Sequence, residues 1–199
     1  MKIRKITEKF YISIFFFIIL LVMILGGTGL DNPASANPSG SAEENLSFLM
    51  ASMKIHQIDT PALSPDFSLM SLDGELVNLR EFDGKVVLLS FWATWWGWCR
   101  KELPSLEELH KHFEGDQFIL LAVDVGEKRD TVKKFIETNG YSFLNILDKD
   151  RLVSTQYGVR SHPMKFIINK KGELVGVARG YRKWDSNEMK DLISLLIHS

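Results

Sequence analysis

Cys99 is the residue with the clearest potential for chemistry, because it is the only cysteine among 199 residues and lies in an unusual aromatic run. The run and its continuation read Phe91-Trp92-Ala93-Thr94-Trp95-Trp96-Gly97-Trp98-Cys99-Arg100-Lys101-Glu102-Leu103-Pro104. Thiol-disulfide sites usually carry two cysteines spaced C-x-x-C at the start of a helix, where the first thiolate attacks a disulfide and the second resolves the mixed disulfide. Trp96 stands at the position of that first cysteine. If Cys99 is the second cysteine of such a pair, the run is a thiol-disulfide site without its attacking thiol.

The chemistry open to Cys99 is that of a lone thiol. Unpaired N–H groups and the helix dipole stabilise a thiolate at a helix N-terminus, but this effect fades within the first turn. Cys99 lies beyond the attacking position, so we expect it to receive less of this stabilisation and to be more shielded from solvent. It could form a mixed disulfide with a substrate or a small thiol, but a second molecule would have to resolve that disulfide.

The indoles beside Cys99 leave two interpretations open. Trp96 and Trp98, at an exposed loop tip, would form an apolar surface suited to a peptide or another protein. Alternatively, they reflect relaxed packing after a catalytic function was lost. Trp95 is grouped with the same candidate binding surface, although its simplest role is scaffold.

Composition excludes several classes of function. The formal net charge is -1, and the Lys and Arg residues are interspersed with Asp and Glu, so nucleic acid is not an expected partner. The five histidines lack acidic or cysteine neighbours at metal-ligand spacing, so we predict neither a metal site nor a cofactor. The length accommodates one ordinary hydrophobic core beyond the N-terminus, and a single globular domain is expected.

Residues 1–30 are predicted to form a membrane anchor or a signal segment. Four basic residues precede the uncharged stretch Phe10–Leu30, whose length suits a bilayer crossing. The basic flank predicts a single-pass protein of the cell membrane, with its N-terminus in the cytoplasm and its remaining residues outside. The alternative is cleavage near Ala36, within Ala34-Ser35-Ala36, which would give a secreted or periplasmic domain.

Hydrophobic patterning divides the remaining chain into a linker with a helical lead-in, residues 31–60, and a folded domain, residues 61–199. The predicted elements of the domain are a hairpin about Asp73-Gly74, a buried strand at Lys85–Phe91, a helix at Trp98–Phe113, a strand at Gln117–Val123, a helix at Asp130–Thr138, an extended piece at Tyr141–Ile146, a short helix at Arg151–Tyr157, a hairpin of Met164–Asn169 and Glu173–Val177, and a last helix that begins at and is capped by Asp185. This alternation of strands and helices predicts an α/β fold.

The order of elements and four local signatures resemble the thioredoxin fold, and in particular the TlpA/ResA-like branch of membrane-anchored thiol-disulfide oxidoreductases. The signatures are Asp66-Phe67-Ser68-Leu69 with Asp73-Gly74, Gly84-Lys85-Val86-Val87-Leu88-Leu89-Ser90-Phe91-Trp92-Ala93-Thr94-Trp95, Cys99-Arg100-Lys101-Glu102-Leu103-Pro104, and Tyr157-Gly158-Val159-Arg160 with Pro163 close behind. The resemblance implies a thioredoxin fold with an N-terminal β-hairpin extension and a βα insertion, in addition to the N-terminal transmembrane or signal helix.

The resemblance also implies redox work outside the cytoplasm. Members of this branch reduce disulfides, often in apocytochrome c before haem attachment, or keep other envelope thiols reduced, with electrons from a membrane partner. By the same resemblance, Pro163 is a cis-proline that lies against the site and helps to hold an extended substrate segment. His162 would then lie beside Cys99, where it could activate the thiol; the alternative is a partly buried histidine satisfied by backbone.

Three departures from the family pattern cluster at the chemistry. Trp96 replaces the attacking cysteine, Trp98 replaces the proline or similar residue between the cysteines, and Ser90 stands where many thioredoxins carry a buried acid. Two functions therefore remain as hypotheses. One is a thiol-disulfide oxidoreductase of altered mechanism that acts on protein thiols or disulfides of the cell envelope. The other is a non-catalytic thioredoxin-fold module that binds a peptide or partner protein.

Overall fold

The structure, a computed structural model, describes residues 41–199. The membrane anchor or signal segment predicted for residues 1–30 lies outside the described residues, as does the first part of the linker. Between residues 41 and 199, no helix is both long enough and apolar enough to cross a bilayer.

A mixed sheet, eight-stranded within the described range, forms the centre of the fold. Its strands are β1 (His56–Leu63), β2 (Ser68–Ser71), β3 (Leu76–Asn78), β4 (Val86–Trp92), β5 (Phe118–Val125), β6 (Leu144–Asp148), β7 (Met164–Ile168) and β8 (Glu173–Arg179). They lie in the order β1-β8-β7-β4-β5-β6-β2-β3. Strand β4 runs parallel to β5 and antiparallel to β7, and β5 runs parallel to β6. Helices connect the parallel strands, as βαβ units require.

The helices of the described chain are α1 (Ala42–Ser52), α2 (Gly97–His112), α3 (Arg129–Asn139), α4 (Leu152–Gln156) and α5 (Asn187–His198), and a 3₁₀ turn lies at Leu79–Phe82. Helix α2 follows β4 directly and carries Cys99. Helices α1, α2, α3 and α5 contribute side chains to one core, whereas α4 contributes to a second core. The mixed α/β architecture expected from the sequence is confirmed.

Strand β4 lies in the interior of the sheet, and all of its residues are buried. Its nearly continuous apolar run suits a strand that is covered on both faces. Because successive side chains point to opposite faces, Leu88 and Trp92 enter the core that contains Cys99, whereas Phe91 enters the core on the other face. Ser90 shares the parity of Leu88 and Trp92, so it faces the core of Cys99.

The last helix begins later than predicted. The sequence prediction placed its start and cap at Asp185, but α5 begins at Asn187, and Ser186 is the N-cap. The Ser186 hydroxyl accepts a hydrogen bond from the Met189 N–H at 3.3 Å. Serine caps a helix as well as aspartate does, so residue type alone could not choose between the two neighbours. The predicted buried face of the helix is observed, with Met189, Leu192, Ile193 and Leu196.

The lead-in contributes both a helix and a strand. Helix α1 begins with a capping box in which the side chain of Ser41 accepts from the Glu44 N–H and the Glu44 carboxylate accepts from the Ser41 N–H. Strand β1, which the sequence analysis did not predict, pairs with β8. It is an edge strand, mostly exposed and containing Pro61, so it lacks the apolar alternation by which strands are recognised. Residue 60, the predicted limit of the lead-in, lies inside β1.

Met50 provides a test of whether α1 is an integral part of this fold. Its side chain is 1% exposed and packs tightly against Gly176 of β8. The contact is so close that a Cβ atom added to this glycine would lie 3.0 Å from the Met50 sulfur. Met50→Ala should lower the free energy of unfolding by about 2–5 kcal/mol, because it leaves a cavity between α1 and the sheet. Phe48 on the same helix is 55% exposed, and Phe48→Ala should change stability by less than about 0.5 kcal/mol. Urea denaturation measures the free energy of unfolding of both variants. Equal losses of stability would contradict an integral role of α1 in the fold.

Candidate functional site

The candidate site lies where β4 ends and α2 begins. Trp96 is the N-cap residue of α2, in an extended backbone conformation, and its side chain makes no capping hydrogen bond. The N–H groups of the first turn of α2 therefore lack a side-chain acceptor at the cap. Cys99 lies in this first turn, close to the positive end of the helix dipole.

Cys99 is completely buried, with 0% of its surface exposed. Burial is the largest influence on its ionisation and raises the pKa of the Cys99 thiol above its ordinary value. A hydrogen bond from the backbone of Ala93 and the charge of Lys165 act in the opposite direction, but they do not outweigh burial. The thiol is therefore protonated at neutral pH.

A layer of buried polar groups lies on the same face of the sheet as Cys99. Lys165 of β7 is 0% exposed and forms an ion pair with Glu102 of α2, which is 1% exposed. The Trp184 indole N–H donates to Glu102 Oε2 at 3.2 Å, and the Trp184 ring centroid lies 5.3 Å from Lys165 Nζ. Lys165 is also the register partner of Ser90 on β4. A buried cation thus lies opposite the strand position at which the resemblance implies a buried acid.

Lys165 and Cys99 influence each other electrostatically. Burial lowers the pKa of Lys165 well below its ordinary value, and the negative charge of a Cys99 thiolate would raise it. In the same way, the Lys165 cation lowers the pKa of Cys99. The buried charge therefore favours the ionised form of the thiol, although burial as a whole opposes it.

The pairing of Lys165 with Glu102 was not predicted from the sequence. A signal for each was present, because Lys165 interrupts the apolar run of a buried strand and Glu102 lies on the apolar face of a helix, beside Leu103. Charged residues at core-facing positions are rare unless they are paired. Patterning could not identify the partners, since the pair joins elements that are far apart in sequence.

A second buried acid lies on β5. Asp124 is 0% exposed, and its Oδ1 accepts a hydrogen bond from the Glu127 N–H at 3.2 Å. Burial, followed by the interactions with the Glu127 carboxylate, raises the pKa of Asp124 to about 9. The Glu127 carboxylate in turn accepts hydrogen bonds from the N–H and the hydroxyl of Thr94, both at 2.6 Å. Asp124 is therefore neutral at neutral pH, and Glu127 fixes the turn that carries the indoles.

The three indoles of the site differ in exposure. Trp95 and Trp98 are 57% and 54% exposed, whereas Trp96 is half-buried and packs against the core that contains Cys99. The expectation that Trp96 is exposed at a loop tip is therefore wrong, because its indole finds apolar neighbours where α2 meets the sheet. The simple scaffold role considered for Trp95 does not fit its exposure. Its ring centroid lies 5.2 Å from that of Trp96.

His162 is a second aromatic neighbour of Trp96, besides Trp95, and Pro163 follows His162 directly before β7. The peptide bond between them is cis, Pro163 is buried, and the ring centroid of His162 lies 6.2 Å from that of Trp96. Burial is the main cause that lowers the pKa of His162, so this residue is neutral at neutral pH. In the described part of the chain, no hydrogen bond joins His162 to Cys99, and the groups that influence the thiol are Ala93, Lys165, Asp124 and Glu127. The expected Cys99–His162 pair is therefore not formed.

These features define a thioredoxin-fold protein with a single buried thiol at the helix N-terminus. Residues 41–199 contain no group of three or more His, Cys, Asp or Glu residues that could hold a metal ion. The chain belongs to the AhpC/TSA family, whose sequence pattern matches residues 62–177.

Two proteins of Bacillus subtilis (strain 168) are similar in sequence. The thiol-disulfide oxidoreductase ResA is 38% identical over 117 residues, which cover 59% of this chain and 65% of ResA. The match therefore spans just under two thirds of that relative. The thioredoxin-like protein YneN is 34% identical over 165 residues, which cover 81% of this chain and 87% of YneN. The resemblance to ResA-like thiol-disulfide oxidoreductases is thereby confirmed.

Solved structures agree with the fold. The crystal structure of a Chlorobium tepidum protein assigned as a thiol:disulfide interchange protein DsbE aligns with a TM-score of 0.64 and 28% identity. The alignment covers 70% of this chain and 99% of that one. StoA from Bacillus subtilis aligns with a TM-score of 0.56 and 25% identity, over 68% of this chain and 98% of that one.

Asp124 should make the stability of the fold depend on pH. Its folded-state pKa of about 9 lies above the ordinary carboxyl value, so its contribution is complete below about pH 4 and is lost as the pH rises towards 9. Asp124→Asn keeps an oxygen that can accept from the Glu127 N–H but does not titrate. At pH 8 we expect the variant to exceed the wild type in free energy of unfolding by on the order of 2 kcal/mol.

Urea denaturation at several pH values measures this difference, which should shrink towards pH 4. Asp150→Asn is the control, because Asp150 is exposed and should show no such trend. A difference between Asp124→Asn and the wild type that does not vary with pH would be evidence against a protonated Asp124.

Proposed function

We propose that this protein is an extracytoplasmic thiol-disulfide oxidoreductase of altered mechanism, in which Cys99 acts as the only thiol. Its proposed substrates are protein thiols and disulfides of the cell envelope, with apocytochrome c as one candidate. The ResA-type relatives support the reaction class. The observation that carries the altered mechanism is the buried Lys165 side chain on the face of Cys99, because its charged form lowers the pKa of the thiol. Burying a lysine is costly, and a cysteine retained for packing alone would not require one nearby.

The proposed reaction has three exchange steps. In the first, the Cys99 sulfur attacks a substrate disulfide, forms a mixed disulfide with one substrate sulfur, and releases the other sulfur as a thiol that takes the Cys99 proton. In the second, one thiol of a dithiol protein attacks the bound substrate sulfur, and Cys99 leaves with the proton of that thiol. In the third, the other thiol of the dithiol protein attacks its neighbouring sulfur, the substrate leaves as a thiol with that proton, and the dithiol protein is left with an intramolecular disulfide. A membrane-bound dithiol protein is the proposed donor. Because Cys99 is fully buried, the side chains that cover its sulfur have to move aside before the first step.

The proposed location follows from the N-terminal sequence. Residues 1–30 would hold the protein in the cell membrane as a single-pass anchor, with the thioredoxin-like domain outside the cytoplasm. The alternative is a periplasmic or secreted domain released by cleavage near Ala36. Both alternatives place Cys99 in a compartment where protein disulfides form.

The second candidate function is a non-catalytic module that binds a peptide or partner protein. The observation that favours it is the shielding of Cys99, which is 0% exposed and has a raised thiol pKa. Trp95 and Trp98 present exposed indoles beside this shielded thiol. Such a surface, with Pro163 nearby, could hold an extended segment without any electron transfer.

Cys99→Ser distinguishes the two candidates. With a mixed disulfide of glutathione and a peptide as substrate, and excess glutathione as the second thiol, the wild type should reduce the substrate at least about tenfold faster than Cys99→Ser, because serine forms no mixed disulfide. The release of free peptide thiol measures the rate. Equal rates for the two proteins would exclude the one-thiol mechanism and favour the binding module.

Trp96→Cys tests whether the scaffold still supports exchange. This change restores the C-x-x-C spacing, so the reduced variant should reduce insulin disulfides without an added thiol, whereas the wild type should not. Trp95→Cys is the matched control, because it adds a thiol at the neighbouring indole with the wrong spacing. If Trp96→Cys folds normally and stays as inactive as Trp95→Cys, the site cannot perform exchange and the proposed function fails.

Cell fractionation tests the proposed location. The full chain expressed in a bacterium should remain in the membrane pellet after alkaline carbonate extraction, because a spanning helix resists extraction whereas a peripheral protein does not. Its domain should be digested by protease added to spheroplasts. A soluble product that begins after Ala36 would instead support cleavage, and a protease-protected domain would contradict both extracytoplasmic alternatives.

A further inference from the structure

An exposed aromatic surface lies beside the candidate site. The ring centroids of Trp98 and Tyr181 are 5.8 Å apart, and the two residues are 54% and 41% exposed. Lys101 Nζ lies 5.0 Å from the Trp98 centroid and 4.9 Å from the Tyr181 centroid. We call these three residues the aromatic-lysine surface. It joins the first turns of α2 to the chain that follows β8.

The aromatic-lysine surface continues into a shallow cavity of about 530 Å³. The residues that line this cavity are Trp95, Trp96, Gly97, Trp98 and Lys101. Trp96, on the far side of the cavity, contacts His162, which precedes Pro163. An extended segment that crosses Trp98 and continues along this cavity would therefore run towards His162 and Pro163.

The aromatic-lysine surface carries an unpaired positive charge. Lys101 is exposed and does not lie at ion-pair distance from a carboxylate of residues 41–199. The nearby Glu102 is buried and already paired with Lys165. The first turn of α2 adds N–H groups that no capping side chain satisfies. An anionic ligand on this surface would therefore meet the Lys101 cation close to a helix N-terminus.

We propose that the aromatic-lysine surface binds an extended acidic segment of a partner polypeptide. Apolar side chains of the segment would pack on Trp98 and Tyr181, and a carboxylate of the segment would pair with Lys101. The proposal rests on the proposed function, because it names the class of polypeptide that is presented to Cys99. A neutral segment would leave the Lys101 cation unpaired, and a basic segment would be repelled, so charge selects among segments of similar apolar content.

The position of Lys101 makes this selection effective. Its ammonium group lies over two rings, where cation–π attraction holds a charge that would otherwise move freely. A partner carboxylate then pairs with a pre-positioned cation and loses less side-chain entropy in doing so. The rings contribute contact area, and Lys101 contributes the preference for acidic residues.

A pair of synthetic peptides tests the proposal. The first is a cysteine-free peptide that alternates glutamate with valine and phenylalanine, and its twin carries glutamine at every glutamate position. Isothermal titration calorimetry with the full chain in a neutral detergent should give an affinity for the acidic peptide about five to ten times higher than for the twin at low salt. The preference should decline as the ionic strength rises, because exposed ion pairs are screened.

Variants identify the residues responsible. Lys101→Gln should reduce the preference to less than about twofold, and Lys101→Arg should retain it, because arginine keeps the charge over the rings. Trp98→Ala should weaken the binding of both peptides. Lys171→Gln is the matched control, because Lys171 is an exposed lysine just before β8, at the opposite end of that strand from Tyr181, and this variant should retain the full preference.

Several results would overturn the proposal. These are equal affinities for the two peptides, an equal loss of preference in Lys171→Gln and Lys101→Gln, or binding to phosphatidylglycerol vesicles that requires Lys101 while neither peptide binds. The last result would assign the surface to an anionic lipid. Because the peptides contain no cysteine, their binding does not depend on exchange at Cys99. Binding can therefore fail while the glutathione assay succeeds, or the reverse.

Discussion

The ion pair between Lys165 and Glu102 is the interaction on which the core that contains Cys99 depends. It joins β7 to α2, and the Trp184 indole N–H donates a hydrogen bond to the Oε2 atom of the same carboxylate. Removing one partner of a buried pair leaves an uncompensated charge, which typically costs about 3–5 kcal/mol. The pair therefore fixes where α2 begins relative to the strand that follows Pro163, and so it also fixes the place of Cys99.

The start of α2 combines a setting that favours negative charge with a thiol that is shielded from solvent. Trp96 caps the helix without a side-chain hydrogen bond, so the N–H groups of the first turn remain available to stabilise a negative charge. Cys99 lies in that turn but is fully buried, so desolvation opposes its ionisation whereas the charge of Lys165 favours it. Any reaction at Cys99 therefore requires that the side chains covering its sulfur be displaced.

The order of the central elements could be predicted from the sequence because their patterns are strong. The apolar run of β4, the spacing of apolar residues in α2 and the Asp73-Gly74 turn each follow from local rules, and the family signatures agree with them. Strand β1 could not be predicted, since an exposed edge strand with Pro61 has no alternation. The contacts at the site could not be predicted either. Pairing of Lys165 with Glu102, and the contact of His162 with Trp96 rather than Cys99, depend on side chains that meet only in the folded chain.

The two edges of the sheet constrain how a partner can be recognised. Strand β1, at one edge, contains Pro61, which has no N–H to donate, and its register with β8 shifts between Gln57 and Ala62. Strand β3, at the other edge, is only three residues long. Both features oppose the addition of a further strand, which is a common route to aggregation and also a common mode of peptide capture. The described domain is therefore a poor template for open-ended sheet growth, and the partner binding proposed for it would rest on side chains at the end of the sheet rather than on backbone pairing along its edges.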